Sequence, residues 1–261
     1  MGQIILKLYY KILNFSLHKR YIYDSVDDKY KKIFLYFDYE REFSGLNTFV
    51  EEERIDEILA IISPLKATWF TVGKLIEKYP ESVYKVHAAG HEIASHSFSH
   101  SPPYSMNKNE LIEDFMQFKS TTTIDVKGFH APQGLWTLRL ITLLTQFGYL
   151  YDVMTPHTKS SFIKRPFRYK YSKFNGIVRF ISVMDDWEFY GSKMSEEEIF
   201  QKWIKCFKQI GMSDLVGIGF HPWVLISDDN IFNAFKRFIA FLKEQETLMI
   251  KPVIDYYHTY K

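Results

Sequence analysis

From residue 31 onward, strand-like and helix-like stretches alternate along this chain, which predicts an α/β protein with a largely parallel sheet. Two further observations agree. Predicted helices end at Gly90 and Gly148, where left-handed caps are expected. The polar clusters with chemical potential fall just after predicted strands, the end of a β/α barrel that carries active sites.

Taken in order, residues 1–30 read as an amphipathic helix and a polar connector at 24–28. Ile5, Leu8, Tyr9, Ile12 and Phe15 share one helical face, with Lys7, Lys11 and His18 on the other. Such a helix either lies in a membrane interface, giving peripheral membrane contact through residues 1–20, or packs on the outside of the barrel. A single domain is expected over 31–261. Its first strand is the β-branched and aromatic run at 33–37. A helix at 51–62 follows, with Ile55, Ile58, Leu59 and Ile62 at helical spacing. Then come a strand at 67–72, helical stretches over 73–89 and a short strand at 92–95. The rhythm repeats with a helix at 108–119, a strand at 126–130, a helix at 135–147 and strands at 149–153 and 177–184. Ser195 with Glu198 makes a capping box that opens another helix. A strand at 215–220 and a helix at 228–244 close the pattern.

The 261 residues lie at the upper end of what one core supports. A hydrophobic share of 46% and a charged share of 25% are those of a soluble globular protein. With 33 basic against 31 acidic residues, no basic face points to nucleic acid. Cys206 is the sole cysteine, so there is no intrachain disulfide and a reducing compartment is the simplest reading. No run of about 18 uncharged apolar residues spans a membrane. Lys7 and Lys11 interrupt the N-terminal apolar run, and a signal peptide's cleavage site is missing. The expected location is the cytoplasm, extending to the inner face of the membrane. Aromatics reach 18%, from compositional bias or from a sugar-binding surface.

Four clusters concentrate the chemistry. In Phe37-Asp38-Tyr39-Glu40 the two acids are two apart on a strand, so they point to one side; they either share a site or form a solvated strand end. His96 and His100, four apart, converge on one ion if they lie in a helical turn, although such pairs also arise by chance. His91 precedes the strand and is a poorer ligand. His130, in Gly128-Phe129-His130-Ala131-Pro132-Gln133-Gly134, either tunes a carboxylate or is a satisfied loop histidine. His221, in Gly219-Phe220-His221-Pro222-Trp223, suits a general acid or a structural hydrogen bond.

Taken together, these segments resemble the polysaccharide deacetylase family, the carbohydrate esterases with a NodB-homology domain. The likeness spans roughly 31–261. Its most specific stretch is Ala67-Thr68-Trp69-Phe70-Thr71-Val72-Gly73 followed by Gly90 to His100, with Phe37-Asp38 before it and His221 near the end. The resemblance implies a distorted (β/α) barrel of about seven strands and a bound divalent metal, zinc foremost. It implies His96 and His100 as metal ligands, Asp38 as general base and His221 as the acid that protonates the departing amine. Asp186-Trp187 resembles the segment that lines the acyl pocket and fixes catalytic side chains. Tyr151-Asp152 resembles a structural pair. The implied reaction is hydrolysis of an N-acyl group from an amino sugar: the metal polarises the carbonyl, Asp38 deprotonates the water, and a backbone N–H near Tyr39 helps hold the oxyanion.

Two positions depart from the family pattern. Tyr39 stands where a second aspartate ligates the metal, and Glu40, on the face of Asp38, is the expected third ligand in its place. His130 stands where an arginine commonly pairs with the base. The expected substrate is an intracellular lipid-linked or nucleotide-linked precursor of a surface polysaccharide. The alternatives are a cyclic imide or ureide hydrolase of the allantoinase kind, and a non-catalytic carbohydrate-binding relative. Asp38, His96, His100 and His221 speak against the last, since a decayed site would have lost some of them.

Overall fold

The computed structural model describes residues 8–10, 12, 19–21, 29–46, 54–156, 164–171 and 174–259. In chain order its strands are β1 (Lys19–Tyr21), β2 (Lys31–Tyr39), β3 (Thr68–Thr71), β4 (Glu92–Ser95), β5 (Gly128–His130), β6 (Tyr151–Met154), β7 (Phe167–Tyr171), β8 (Phe174–Asn175), β9 (Val178–Met184), β10 (Leu215–Phe220) and β11 (Leu248–Ile250). The helices are α1 (Ile55–Ile62), α2 (Gly73–Lys78), α3 (Pro80–Ala88), α4 (Lys108–Ser120), α5 (Leu138–Gln146), α6 (Glu196–Lys208), α7 (Pro222–Leu225), α8 (Asp229–Lys243) and α9 (Val253–Thr259).

Strands β9, β10, β2, β3, β4, β5 and β6 pair in parallel in that order, and β6 pairs back to β9. The sheet therefore closes into the distorted (β/α) barrel that the sequence predicts, and each of the seven expected strands is one of its staves. Beyond the barrel, β7 runs antiparallel to β9, with β1 and β8 on its edges.

Strand alternation explains how β2 builds the site. Ile33, Leu35, Phe37 and Tyr39 face outward into the core beneath the helices. Phe34 and Tyr36 face the barrel interior with Phe70, Ala94, Tyr151 and Phe180. Asp38 and Glu40 continue that inner row upward, so they emerge at the carboxyl-terminal mouth. The interior is filled by aromatic rings because the neighbouring staves supply glycine. A Cβ on Gly217 would come within 2.3 Å of the Phe34 ring, and one on Gly219 within 2.3 Å of Tyr36. Part of the high aromatic content is thus internal packing. At the other end α9 closes the barrel, with the Tyr256 hydroxyl donating to the carbonyls of Ile33 and Met249 at 3.1 and 2.7 Å.

Some local expectations hold and others need correction. The helical stretches over 73–89 form as expected, as two helices parted at Tyr79 because Pro80 starts the second. The helix expected from 135 begins at Leu138, capped by the Thr137 side chain. The capping box of Ser195 and Glu198 forms as expected. Of the N-terminal helix, residues 8–10 and 12 are described and helical, while Ile5 and Phe15 lie outside the described residues. Leu8 and Ile12 of the expected apolar face point to solvent, and Tyr10 is the buried residue. Its hydroxyl accepts from the Trp136 N–H at 3.0 Å and donates to the Trp136 carbonyl at 3.2 Å. Among the described residues no helix is long and apolar enough to cross a membrane.

Candidate active site

Asp38 and Glu40 end β2 side by side, and both are buried. The segment after β4 brings His96 and His100 to them. Their helical spacing misleads: the segment is an irregular turn, with Ser97 and His100 in left-handed conformation at φ 66° and 62°. Asp114 of α4 holds that turn from below, accepting from the backbone N–H groups of Phe98 and Ser99 at 2.8 and 2.9 Å. Ser97 Oγ accepts from the His100 N–H at 2.8 Å. Gly73 is required beneath the turn, since a Cβ there would lie 2.9 Å from the Phe98 backbone.

The result is a tight convergence. His96 Nε2 lies 3.1 Å and His100 Nε2 3.0 Å from the same oxygen, Glu40 Oε1. The Trp223 indole N–H donates to the other oxygen, Oε2, at 3.1 Å and fixes the carboxylate plane. Burial acts to raise Glu40, but the hydrogen bond from His100, aided by His221, outweighs it and holds the carboxyl well below its ordinary value.

Does this set fit a divalent ion? His96 Nδ1 lies 2.9 Å from the His130 carbonyl, an acceptor, so Nδ1 carries the hydrogen. Burial, outweighing the nearby carboxylates, lowers the His96 pKa and so favours the neutral ring. A neutral ring with hydrogen on Nδ1 turns a lone pair from Nε2 onto Glu40 Oε1. A cation between them would suit two acceptors facing each other at 3.1 Å. Glu40, His96 and His100 form one of the described groups able to hold a metal, and a set of two imidazoles and one carboxylate suits a zinc-like ion.

Asp38 sits beside this set. His130 Nδ1 lies 2.8 Å from Asp38 Oδ1, and His221 Nε2 3.5 Å from Oδ2. Burial acts to raise Asp38, but the His130 ring bonded to it, aided by His221, outweighs burial, so the carboxyl is held below its ordinary range. His130 therefore serves both halves of the site, its ring holding Asp38 and its carbonyl orienting His96. His130 Nε2 is buried and has no hydrogen-bond partner among the described residues. On the other wall, Asp186 grips His221 twice, accepting from Nδ1 at 2.6 Å and from the backbone N–H at 2.8 Å. Burial works against a charge on His221, but Asp186, aided by Glu40 and Asp38, overrides it and raises the pKa well above the ordinary value.

These groups open into a cavity of about 410 Å³. Asp38, Glu40, His100, His130, His221 and Trp187 line it. Asp186 lies behind His221, and Pro132 is buried in the turn after β5. Tyr39 is the exception among the expected residues. Its side chain faces away from the cavity and packs edge-on against Trp69, with ring centroids 5.5 Å apart. His91, at the opposite end of the barrel, accepts from the Ala67 N–H through Nδ1.

Five residues contribute to the site without having been expected from the sequence. Asp114 had a signal, an acid among the apolar positions Leu111, Phe115 and Phe118 of an amphipathic helix. Trp223 adjoins His221, yet nothing in the local pattern says that its N–H reaches Glu40. Gln133, Thr155 and Asp185 line the cavity from three different loops and carry no local signature.

Comparison with known proteins points the same way. The polysaccharide deacetylase family matches residues 25–151. A peptidoglycan deacetylase of Helicobacter pylori is 32% identical over 117 residues, 42% of this chain and 39% of that protein. The chain thus spans about two-fifths of the length of this curated relative. Among solved structures, a Mycobacterium smegmatis protein classed as a polysaccharide deacetylase superposes with a TM-score of 0.78 at 17% identity, covering 94% of this chain and 95% of that one. The PuuE allantoinase superposes at 0.70 and 16% identity, covering 92% and 93%. At these identities the structural likeness concerns the fold.

Proposed function

We propose that the chain, whose residues 25–151 match the polysaccharide deacetylase family, is a metal-dependent hydrolase that removes the N-acyl group of an amino sugar. One observation carries the reading: two imidazoles meet a single carboxylate oxygen at 3.0 and 3.1 Å, directly beside a second carboxylate and a third, acid-gripped imidazole.

His96, His100 and Glu40 would hold the ion, with Glu40 taking the place that Tyr39 cannot fill. A bound zinc-like ion supplies Lewis acidity, polarising an amide carbonyl and making a nearby water easier to deprotonate. Asp38, kept anionic by His130, takes the proton of the attacking water. His221, kept protonated by Asp186, presents Nε2–H to the amide nitrogen and delivers its proton as the C–N bond breaks. The charged forms that these two roles require are those the surroundings favour.

The substrate reading is an N-acetylated sugar of a lipid-linked or nucleotide-linked precursor, met at the cytoplasmic face of a membrane. Among the described residues lining the cavity there is no Lys or Arg. A phosphate on such a precursor would therefore project outward, with the sugar inside. The cyclic ureide alternative draws its support from the altered Tyr39 and His130 positions, and Glu40 on the inner face would compensate the first.

The test joins metal binding to reaction. Metal-stripped wild type and Glu40→Gln are titrated with zinc, and both are assayed for acetate release from N-acetylglucosamine oligomers. Wild type should take up about one ion per chain and release acetate. The variant should lose more affinity than the roughly 10–100-fold typical of removing an outer-shell partner. Full zinc affinity in Glu40→Gln would remove Glu40 from the ligand set; ring opening of allantoin without acetate release would favour the alternative.

A further inference from the structure

The described residues of the N-terminal helix lie outside the stretch matched to the family, yet one of them reaches the loop that walls the cavity. Tyr10 is buried, and its ring lies 5.1 Å from that of Trp136. Its hydroxyl accepts from the Trp136 N–H at 3.0 Å and donates to the Trp136 carbonyl at 3.2 Å. A single side chain thus satisfies both backbone groups of one buried loop residue. Burial pushes the hydroxyl up to about 12, so it keeps the proton that it donates. Trp136 is also held by Arg179, whose guanidinium lies 4.2 Å from the ring centre and is itself fixed by Asp152. Tyr9 adds a longer contact, its hydroxyl accepting from the Leu138 N–H at 3.5 Å.

The loop so held runs between His130 and α5. Its Gln133 and Gly134 line the cavity and are consecutive left-handed residues, at φ 60° and 64°. Glycine adopts that conformation freely, whereas the Cβ of Gln133 makes it unfavourable. Two bonds hold the turn from within, the Gly134 N–H to the Ala131 carbonyl at 2.8 Å and the Leu135 N–H to the Pro132 carbonyl at 3.3 Å. A strained turn of this kind persists only where its surroundings hold it. The upstream end is fixed by β5, where His130 pairs with Val153 of β6. The downstream end is Trp136, fixed by Tyr10. The clamp therefore acts on the cavity wall, while His130 holds Asp38 from the strand end.

We propose that Tyr10 is a positioning residue, whose hydroxyl clamps Trp136 so that Gln133 and Gly134 stand as a preformed wall against the bound substrate. Tyr10 does not line the cavity, so it acts through the loop. A segment beyond the family match thereby becomes part of the binding apparatus. The use of the wall rests on the amino-sugar reading above, whereas the clamp is a property of the free protein.

The experiment takes two readouts on zinc-loaded wild type, Tyr10→Phe, Tyr10→Ala and Tyr9→Phe. Hydrogen exchange of the peptide 131–138 reports the loop, and acetate release from N-acetylglucosamine oligomers reports its use. In Tyr10→Phe, which keeps the ring beside Trp136, exchange in that peptide should rise at least roughly tenfold while β5 and β6 stay protected. KM should rise about threefold with kcat within about twofold of wild type, as fewer molecules hold a formed wall. Tyr9→Phe should behave as wild type; a response matching Tyr10→Phe would mark a general loosening of the helix and overturn the clamp. Unchanged exchange in Tyr10→Phe would also overturn it, even with losses in Tyr10→Ala, since ring packing alone would then suffice. Faster exchange with an unchanged KM would overturn the wall's part in binding, and so would a loss carried by kcat alone. Without acetate release from wild type the amino-sugar reaction fails by itself, and exchange still decides the clamp: faster exchange in Tyr10→Phe supports it and unchanged exchange overturns it.

Discussion

Two groups of buried charges sit on this barrel, and they are satisfied in opposite ways. At the seam where β6 meets β9, Arg179 and Asp152 face each other in register, both essentially without solvent contact. The guanidinium Nε donates to both carboxylate oxygens and Nη2 adds a bond at 2.6 Å. Nη1 reaches the Tyr169 hydroxyl, and the guanidinium lies 4.2 Å from the Trp136 ring centre. Every charge there has its complement within the protein. At the barrel mouth, by contrast, Asp38 and Glu40 lie among four imidazoles, a lone pair of His96 faces an oxygen, and His130 Nε2 has no partner among the described residues. A complete cluster holds a fold together, while an incomplete one is built for something that arrives.

Substitutions separate the two. Asp38→Asn should lower kcat for acetate release by about 10²–10⁴-fold, the range for loss of a general base. It removes a charge from an incomplete cluster, so its urea midpoint should match or exceed that of wild type. A large drop in midpoint would make the mouth cluster structural and end the contrast. Arg179→Met should do the reverse. It leaves Asp152 buried without its counter-charge and should cost about 3–5 kcal/mol in denaturant unfolding. Adding Asp152→Leu should recover much of that loss; if Arg179→Met is as stable as wild type, the seam pair is not what closes the barrel.

A partly buried acid elsewhere on the barrel sharpens the comparison. Glu92, at the start of β4 and far from the mouth, takes hydrogen bonds from the Thr68 and Tyr151 hydroxyls and the Ile254 N–H. Burial outweighs these and pushes its carboxyl up from 4.5 to about 7. Between those values the folded chain holds a proton that the unfolded chain releases, so stability falls as pH rises through this window. The fall should be on the order of 3 kcal/mol and should flatten in Glu92→Gln. Denaturant midpoints across the window check it, and parallel curves for the two proteins would show that Glu92 stays ionised.

Much of this architecture was legible in local sequence. Alternating strands and helices gave the seven staves, because period and capping chemistry are properties of neighbouring residues. The i, i+2 spacing of Asp38 and Glu40 put both on one face, and strand geometry carried that to the barrel mouth. Other features were hidden. The hairpin of β7 and β8 has no independent pattern, since its register comes from pairing with β9. The His96–His100 spacing suggested a helix, but Asp114, from a distant helix, binds the turn's backbone and sets an irregular path.

By itself, then, the amino-acid order determined the fold class, the strand that presents the two acids and the histidines that accompany them. Only the tertiary structure decided that Tyr39 turns away, that His130 serves both Asp38 and His96, that Trp223 fixes Glu40, and that Tyr10 holds the loop beside the cavity. The reason is physical. Periodicity and capping act over a few residues, whereas a hydrogen bond between positions 183 residues apart exists only once the barrel has closed.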